Sequence, residues 1–192
     1  MPIAYTNRKG RTYFLCKAKT KTGKTHYYFA GEQKGEPVDK IPEGYKISES
    51  INGIVSLAKD RPSLIHAKDV AVVEAEIKRH PKRRRYRVRS KHDRIEVYEM
   101  AGPDAEDLAE IYGDFAFSKP VEQAQTFLDS HSQFRVEMRF ILADPEIHTF
   151  RAQRWCYLGS IDDWIDIDYG SIEQLAKEWI PLLGTDELFN RY

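Results

Sequence analysis

Cysteine is nearly absent from this chain: Cys16 and Cys156 are its only two among 192 residues. Two thiols cannot build a disulfide framework, and their scarcity fits a reducing cytoplasm. No run approaches the roughly 18 apolar residues of a membrane-spanning helix. The opening MPIAYTNRKG has no apolar stretch of the kind a secretory signal needs. Phosphate-cradling and nucleophile-presenting loops (G-x-G-x-x-G, G-x-S, Walker type) are missing as well, and Gly23-Lys24-Thr25 is too short to stand for one. Six histidines, His26, His66, His80, His92, His131 and His148, show no metal-ligand spacing with one another or with the cysteines. His80 reads as a favourable cation at a helix C-terminus and His92 as a turn residue. The absences point to a cytoplasmic protein, not bound to membrane, with no cofactor implied.

What the chain has is charge, arranged unevenly. Lys and Arg number 30 and so do Asp and Glu, for a formal net charge of zero. Residues 1–95 nevertheless hold 23 basic and 10 acidic side chains, a balance of +13, and residues 96–192 hold the opposite −13. Residues 1–31 carry seven basic side chains and no acidic one, and residues 78–94 carry ten against Asp93. Such asymmetry suggests a polyanion partner for the first half. Self-neutralisation is the competing reading: the two halves pack together, or two chains associate head to tail.

The hydrophobic pattern predicts α+β architecture, antiparallel hairpins and sheets packed with short helices, and it allows two small α+β subdomains. The charge divides the chain into a basic half, 1–100, with two hairpins and a helix, and an acidic half, 101–192, with antiparallel strands and a C-terminal helix. RTYFLCKA and THYYFA read as strands around a Thr22-Gly23 turn. That register puts Phe14, Cys16, Ala18, Tyr27 and Phe29 on one face, and Tyr13, Leu15, Lys17, Lys19, His26 and Tyr28 on the other. Residues 31–46, rich in Gly, Pro and charge, read as a loop. Ala67–His80 reads as a helix with Val70, Val73 and Ile77 inward, ended by Pro81. RRYRVRS and DRIEVYEM form a second hairpin, in which a Lys91-His92 turn places Arg87 opposite Glu96.

In the acidic half, Asp104 and Asp107 cap a short helix through Leu108, Ile111 and Tyr112, and Pro120 opens another through Val121, Ala124 and Leu128. QFRVEMRFIL alternates strictly, IHTFRAQRWCYLG pairs with it, and IDDWIDID adds a third strand. SIEQLAKEWIPLL carries a Ser171/Gln174 capping box and an apolar stripe of Ile172, Leu175, Ala176 and Trp179. A short helix follows within Thr185–Tyr192.

Two constellations can carry chemistry. Clustered cations bind phosphate backbones, and unpaired bases stack on aromatic or guanidinium planes. Arg83, Arg84, Arg85, Arg87 and Arg89, with Lys17, Lys19, Lys24, Tyr13 and Tyr28, form that kind of set. Asp162, Asp166 and Asp168 share a strand face under strict alternation, and converging carboxylates can hold a hard cation for phosphoester chemistry. An exposed acidic strand edge that blocks aggregation is the plainer reading of that run. Cys16 and Cys156 read as small buried hydrophobes.

The segments NRKGRTYFLCKAKTKTGKTHYYFA, EPVDKIPEGYKISESINGIVSLAKDRPSLI and RWCYLGSIDDWIDI resemble a group of uncharacterised bacterial proteins. The resemblance implies a bacterial cytosolic setting and a shared architecture, and it carries over no functional residue. The residues favour a non-enzymatic protein that binds nucleic acid or another polyanion through its basic half. The alternatives are a metal-dependent phosphoester hydrolase or nuclease built on the aspartates, and a protein–protein adaptor or homo-oligomer whose opposed charges meet.

Overall fold

The computed structural model describes residues 1–32, 35–104, 107, 131–158 and 160–191. All strand pairing is antiparallel among the described residues, and short helices accompany the sheets, so the fold is α+β. Two compact units form, one around Met1–Arg61 and one around residues 62–107 and 133–191. The charge-based division at residue 100 passes through a strand, Arg94–Ala101, that pairs with neighbours on both of its edges. Pairing, not the sign of the charge, decides where that strand belongs.

The first unit centres on β2 (Thr12–Lys19), flanked on one edge by β3 (Thr25–Ala30) and on the other by β1 (Ala4–Thr6) and β4 (Glu36–Pro37). The β2–β3 loop is three residues, Lys21-Thr22-Gly23, closed by Thr20 N–H to the Lys24 carbonyl at 2.8 Å and Gly23 N–H to the Thr20 carbonyl at 2.9 Å. Gly23 adopts φ 78°, the left-handed residue that such a loop requires. This moves the register by one from the expected Thr22-Gly23 turn, and a one-residue slip exchanges the faces of a strand. Tyr28 therefore pairs with Cys16, and Tyr27 pairs with Lys17 on the face that carries Tyr13 and Leu15.

A separate hairpin, β5 (Tyr45–Glu49) and β6 (Val55–Lys59), begins inside the segment expected to be a loop. Buried Asn7 ties this hairpin to the chain's first turn. Its Nδ2 donates to the Gly53 carbonyl at 2.6 Å, and its Oδ1 accepts from Lys9 N–H at 3.0 Å and Arg11 N–H at 2.9 Å. Gly53 has φ 76°, and a Cβ there would lie 3.0 Å from Asn7 Nδ2.

In the second unit α1 (Ala67–Arg79) is followed by β7 (Tyr86–Ser90), β8 (Arg94–Ala101), β9 (Gln133–Asp144), β10 (Thr149–Leu158) and β11 (Ile161–Gly170). They form one sheet in the order β11-β10-β9-β8-β7. Two helices end the chain, α2 (Ile172–Trp179) and α3 (Glu187–Asn190). α1 and α2 lie against each other and the sheet, burying Val73, Ile77, Val97, Met138, Phe140, Phe150, Leu175 and Trp179. The Ser171/Gln174 capping box forms as its spacing requires, and every residue of the expected α2 stripe is buried. The Asp104/Asp107 cap forms too, with Asp107 N–H on Asp104 Oδ1 at 2.9 Å and Asp104 N–H on Asp107 Oδ2 at 3.0 Å. The helices expected through Leu108 to Tyr112 and after Pro120 lie outside the described residues.

Several details depart from the simple strand pattern. The β7–β8 turn is His92-Asp93, closed by Lys91 N–H to the Arg94 carbonyl at 2.7 Å, so Glu96 faces Arg89 and Arg87 faces Tyr98. One extra residue, Glu137, bulges from β9 where the register passes from Met138 to Val136. Another, Ile167, bulges from β11 between Asp166 and Asp168. His80 also differs from expectation: it is buried under Tyr86, with Nε2 3.2 Å from the Leu183 carbonyl. Burial pushes its pKa down and favours the neutral ring over a cation at the helix end.

Candidate functional site

The ten basic and aromatic candidates divide equally between the units: Tyr13, Lys17, Lys19, Lys24 and Tyr28 in the first, Arg83, Arg84, Arg85, Arg87 and Arg89 in the second. Those of the second unit are largely engaged by the fold. A short 3-10 turn, Arg83–Arg85, precedes β7, so Arg85 is not part of the strand comb. Its side chain is only 15% exposed, and the guanidinium lies 2.6 Å from Asp107 Oδ2, 3.6 Å from Glu99 and 3.9 Å from Asp104. It also donates to the carbonyls of Met100 at 3.3 Å and Gly102 at 3.1 Å. Arg87 donates to the carbonyls of Arg84 and Tyr86 and lies over the Phe134 ring. Within residues 78–94 the exposed cations are Lys78, Arg79, Lys82, Arg83, Arg84 and Lys91.

Arg89 belongs to a polar row that crosses all five strands, Arg89, Glu96, Arg139, Gln153 and Asp166. Glu96, on β8, is buried and accepts from Arg94 Nε at 2.8 Å, Tyr98 Oη at 2.6 Å and Lys91 Nζ at 2.9 Å. Burial alone would raise the Glu96 pKa, but these hydrogen bonds outweigh it and hold the carboxyl below its usual range. Arg139 stacks on Trp164 with 4.0 Å to the ring centroid and donates to Gln153 at 2.6 Å. The row is a self-compensating ladder.

Cations of the first unit stand differently. Lys17 is paired with Glu36 at 2.7 Å, and that carboxylate raises its pKa. Lys19, Lys21 and Lys24 are exposed at the tip of the β2–β3 hairpin. Beside them His26 and Tyr28 stack with ring centroids 6.0 Å apart.

The aspartates of β11 do not converge. The Ile167 bulge turns Asp168 to the helix-covered side, where it pairs with Ala152 and its Oδ2 accepts from Trp179 Nε1 at 3.0 Å. Asp166 stays on the opposite side with Gln153 and Arg151. Asp162, opposite Tyr157, lies four residues from Asp166, about 13 Å along a strand and too far to share one ion.

A different cluster comes together instead. His66 precedes the first turn of α1, Asp69 lies in that turn, and His148 closes the β9–β10 connection. Asp69 Oδ2 accepts from His66 N–H at 2.8 Å and lies 2.9 Å from His148 Nε2 and 3.9 Å from His66 Nδ1. The imidazoles stack at 4.3 Å, and Phe150 meets His148 edge-on at 5.2 Å. The Asp69 carboxylate is 1% exposed, and its Oδ1 has no hydrogen-bond partner. No local spacing announces this group, because His148 lies 79 residues from Asp69.

Comparison of the chain with protein-family models, with curated proteins and with solved structures finds no match in any of the three.

Proposed function

We propose that this protein binds nucleic acid, as a polyanion, through the tip of the β2–β3 hairpin. One observation carries the reading: Lys19, Lys21 and Lys24 are exposed together in a segment, residues 1–31, that contains no acidic side chain. Exposed cations grouped on one turn release condensed counterions from a phosphate backbone, and each phosphate neutralised adds to affinity without reading sequence. The neighbouring His26–Tyr28 pair offers ring surface to an unstacked base. Lys82, Arg83 and Arg84 supply exposed cations of the second unit. Arg85 has a structural part in this account, holding Asp104 and Asp107 to the end of β8.

Fluorescence anisotropy with labelled single- and double-stranded DNA and RNA tests the reading, with inorganic polyphosphate as a competitor of charge alone. Saturable binding at low salt that is lost in Lys19→Ala/Lys21→Ala/Lys24→Ala supports it. No binding at about 50 mM salt, where phosphate contacts are strong, or undiminished binding by the triple variant, sinks it.

A further inference from the structure

We infer that His66, Asp69 and His148 form a site for a divalent transition-metal ion of the Zn2+ type. The ligand atoms of the three side chains lie within 4.8 Å of one another. Atoms bound to one tetrahedral zinc at 2.0–2.1 Å sit about 3.3 Å apart, so the observed 2.9 and 3.9 Å separations from Asp69 Oδ2 bracket the required geometry. To share an ion the exposed His66 ring must rotate out of its stack on His148, so that both in-plane lone pairs meet beside Asp69.

Asp69 supplies the observation that points to a ligand. Its carboxylate is 1% exposed, yet Oδ1 has no hydrogen-bond partner. A buried carboxylate oxygen left unpaired is costly, and a bound cation satisfies it. Oδ2, the oxygen to which the 2.9 and 3.9 Å separations refer, is oriented by the His66 N–H at 2.8 Å, and an ion that also satisfies Oδ1 binds the carboxylate through both of its oxygens. His148 is held over Asp69 with φ 53°, the one non-glycine residue in the left-handed region among the described residues. Its ring is backed by Phe150, which excludes water from one side of the site. The His66 side chain is 58% exposed and leaves the other side open.

The donor set selects the ion. Two imidazoles with one carboxylate suit Zn2+, Co2+, Ni2+ or Fe2+, whereas Mg2+ and Ca2+ prefer all-oxygen shells. Three protein ligands leave a coordination position for water or an anionic ligand, the arrangement that distinguishes open zinc sites from closed structural ones.

The test is titration of the full-length, chelator-treated protein with Zn2+ by calorimetry, paired with Co2+ absorption spectroscopy. One ion per chain is expected, with visible ligand-field bands for bound Co2+ and no competition from excess Mg2+. His66→Ala removes an exposed side chain, and His148→Asn keeps a residue that tolerates the left-handed backbone and can still donate to Asp69. Both variants are expected to keep the metal-free melting temperature near that of the wild type and to weaken Zn2+ binding by roughly tenfold or more. Cys16→Ser/Cys156→Ser is expected to bind as the wild type does. Absence of saturable binding overturns the assignment, as does unchanged affinity in both histidine variants or loss of binding only in the cysteine variant.

Discussion

The β2–β3 tip of the first unit and the β7–β8 hairpin of the second treat positive charge in opposite ways. In the second, arginines are built into the fold: Arg85 is enclosed by Asp107, Glu99 and Asp104, and Arg94 and Lys91 converge on buried Glu96. In the first, the lysines at the β2–β3 tip point into solvent. Planar guanidinium suits fixed, multidentate pairing, and a flexible ammonium does not. The densest basic sequence, residues 78–94, thus keeps only part of its charge available: Arg85, Lys91 and Arg94 pair with internal acids, while Lys78, Lys82, Arg83 and Arg84 stay exposed. A count of charges along a chain measures what can attract a polyanion only after the internal pairs have been subtracted.

Substitutions break the comparison in order of size. Arg85→Ala leaves Asp107, Glu99 and Asp104 without their shared cation and is expected to cost about 2–3 kcal/mol, read as a lower denaturant midpoint. Glu96→Gln weakens three charge-assisted hydrogen bonds at a buried position and should cost about 1–2 kcal/mol by the same measurement. A pH series isolates His80. Burial lowers its folded-state pKa, so below about pH 6.5 the unfolded chain takes up a proton that the folded ring resists. Stability is expected to fall as pH drops through that value, and His80→Gln should flatten this part of the profile. Alanine at Lys19, Lys21 or Lys24 should change stability least, by about 0.5 kcal/mol or less each. A large loss of stability from the lysine variants, or none from Arg85→Ala, would erase the contrast between the two hairpins.

Much of the architecture was legible in the sequence, and where it was not, the reasons are local. α2 follows directly from the Ser171/Gln174 box and a four-residue apolar stripe, because both signals lie within one helical turn of each other. The β9–β10–β11 meander is likewise written in its alternation and short turns. Both hairpin registers shifted because turn conformation, not side-chain pattern, sets pairing. Left-handed Gly23 lengthens one loop, and the His92-Asp93 turn moves the other by a residue on each strand. The slip of two in the second hairpin preserved its faces but changed the partner of Glu96 from Arg87 to Arg89. The bulge at Ile167 dispersed the acidic candidates, since one extra residue sends Asp168 to the other side of the sheet. The His66–Asp69–His148 cluster was invisible for a topological reason: the β9–β10 turn brings a distant histidine to the start of α1.

The salt dependence of single-stranded RNA binding, measured side by side for the wild type, Lys19→Ala/Lys21→Ala/Lys24→Ala and Arg85→Ala, tests the central claim most directly. For the wild type, log K should fall linearly with log salt, and the triple lysine variant should lose about 2 from the steepness of that slope at about 0.7 per single-strand phosphate contact. Arg85→Ala, studied where it remains folded, should keep the wild-type slope. The opposite pattern, an unchanged slope in the lysine variant and a shallower one in Arg85→Ala, would contradict the account.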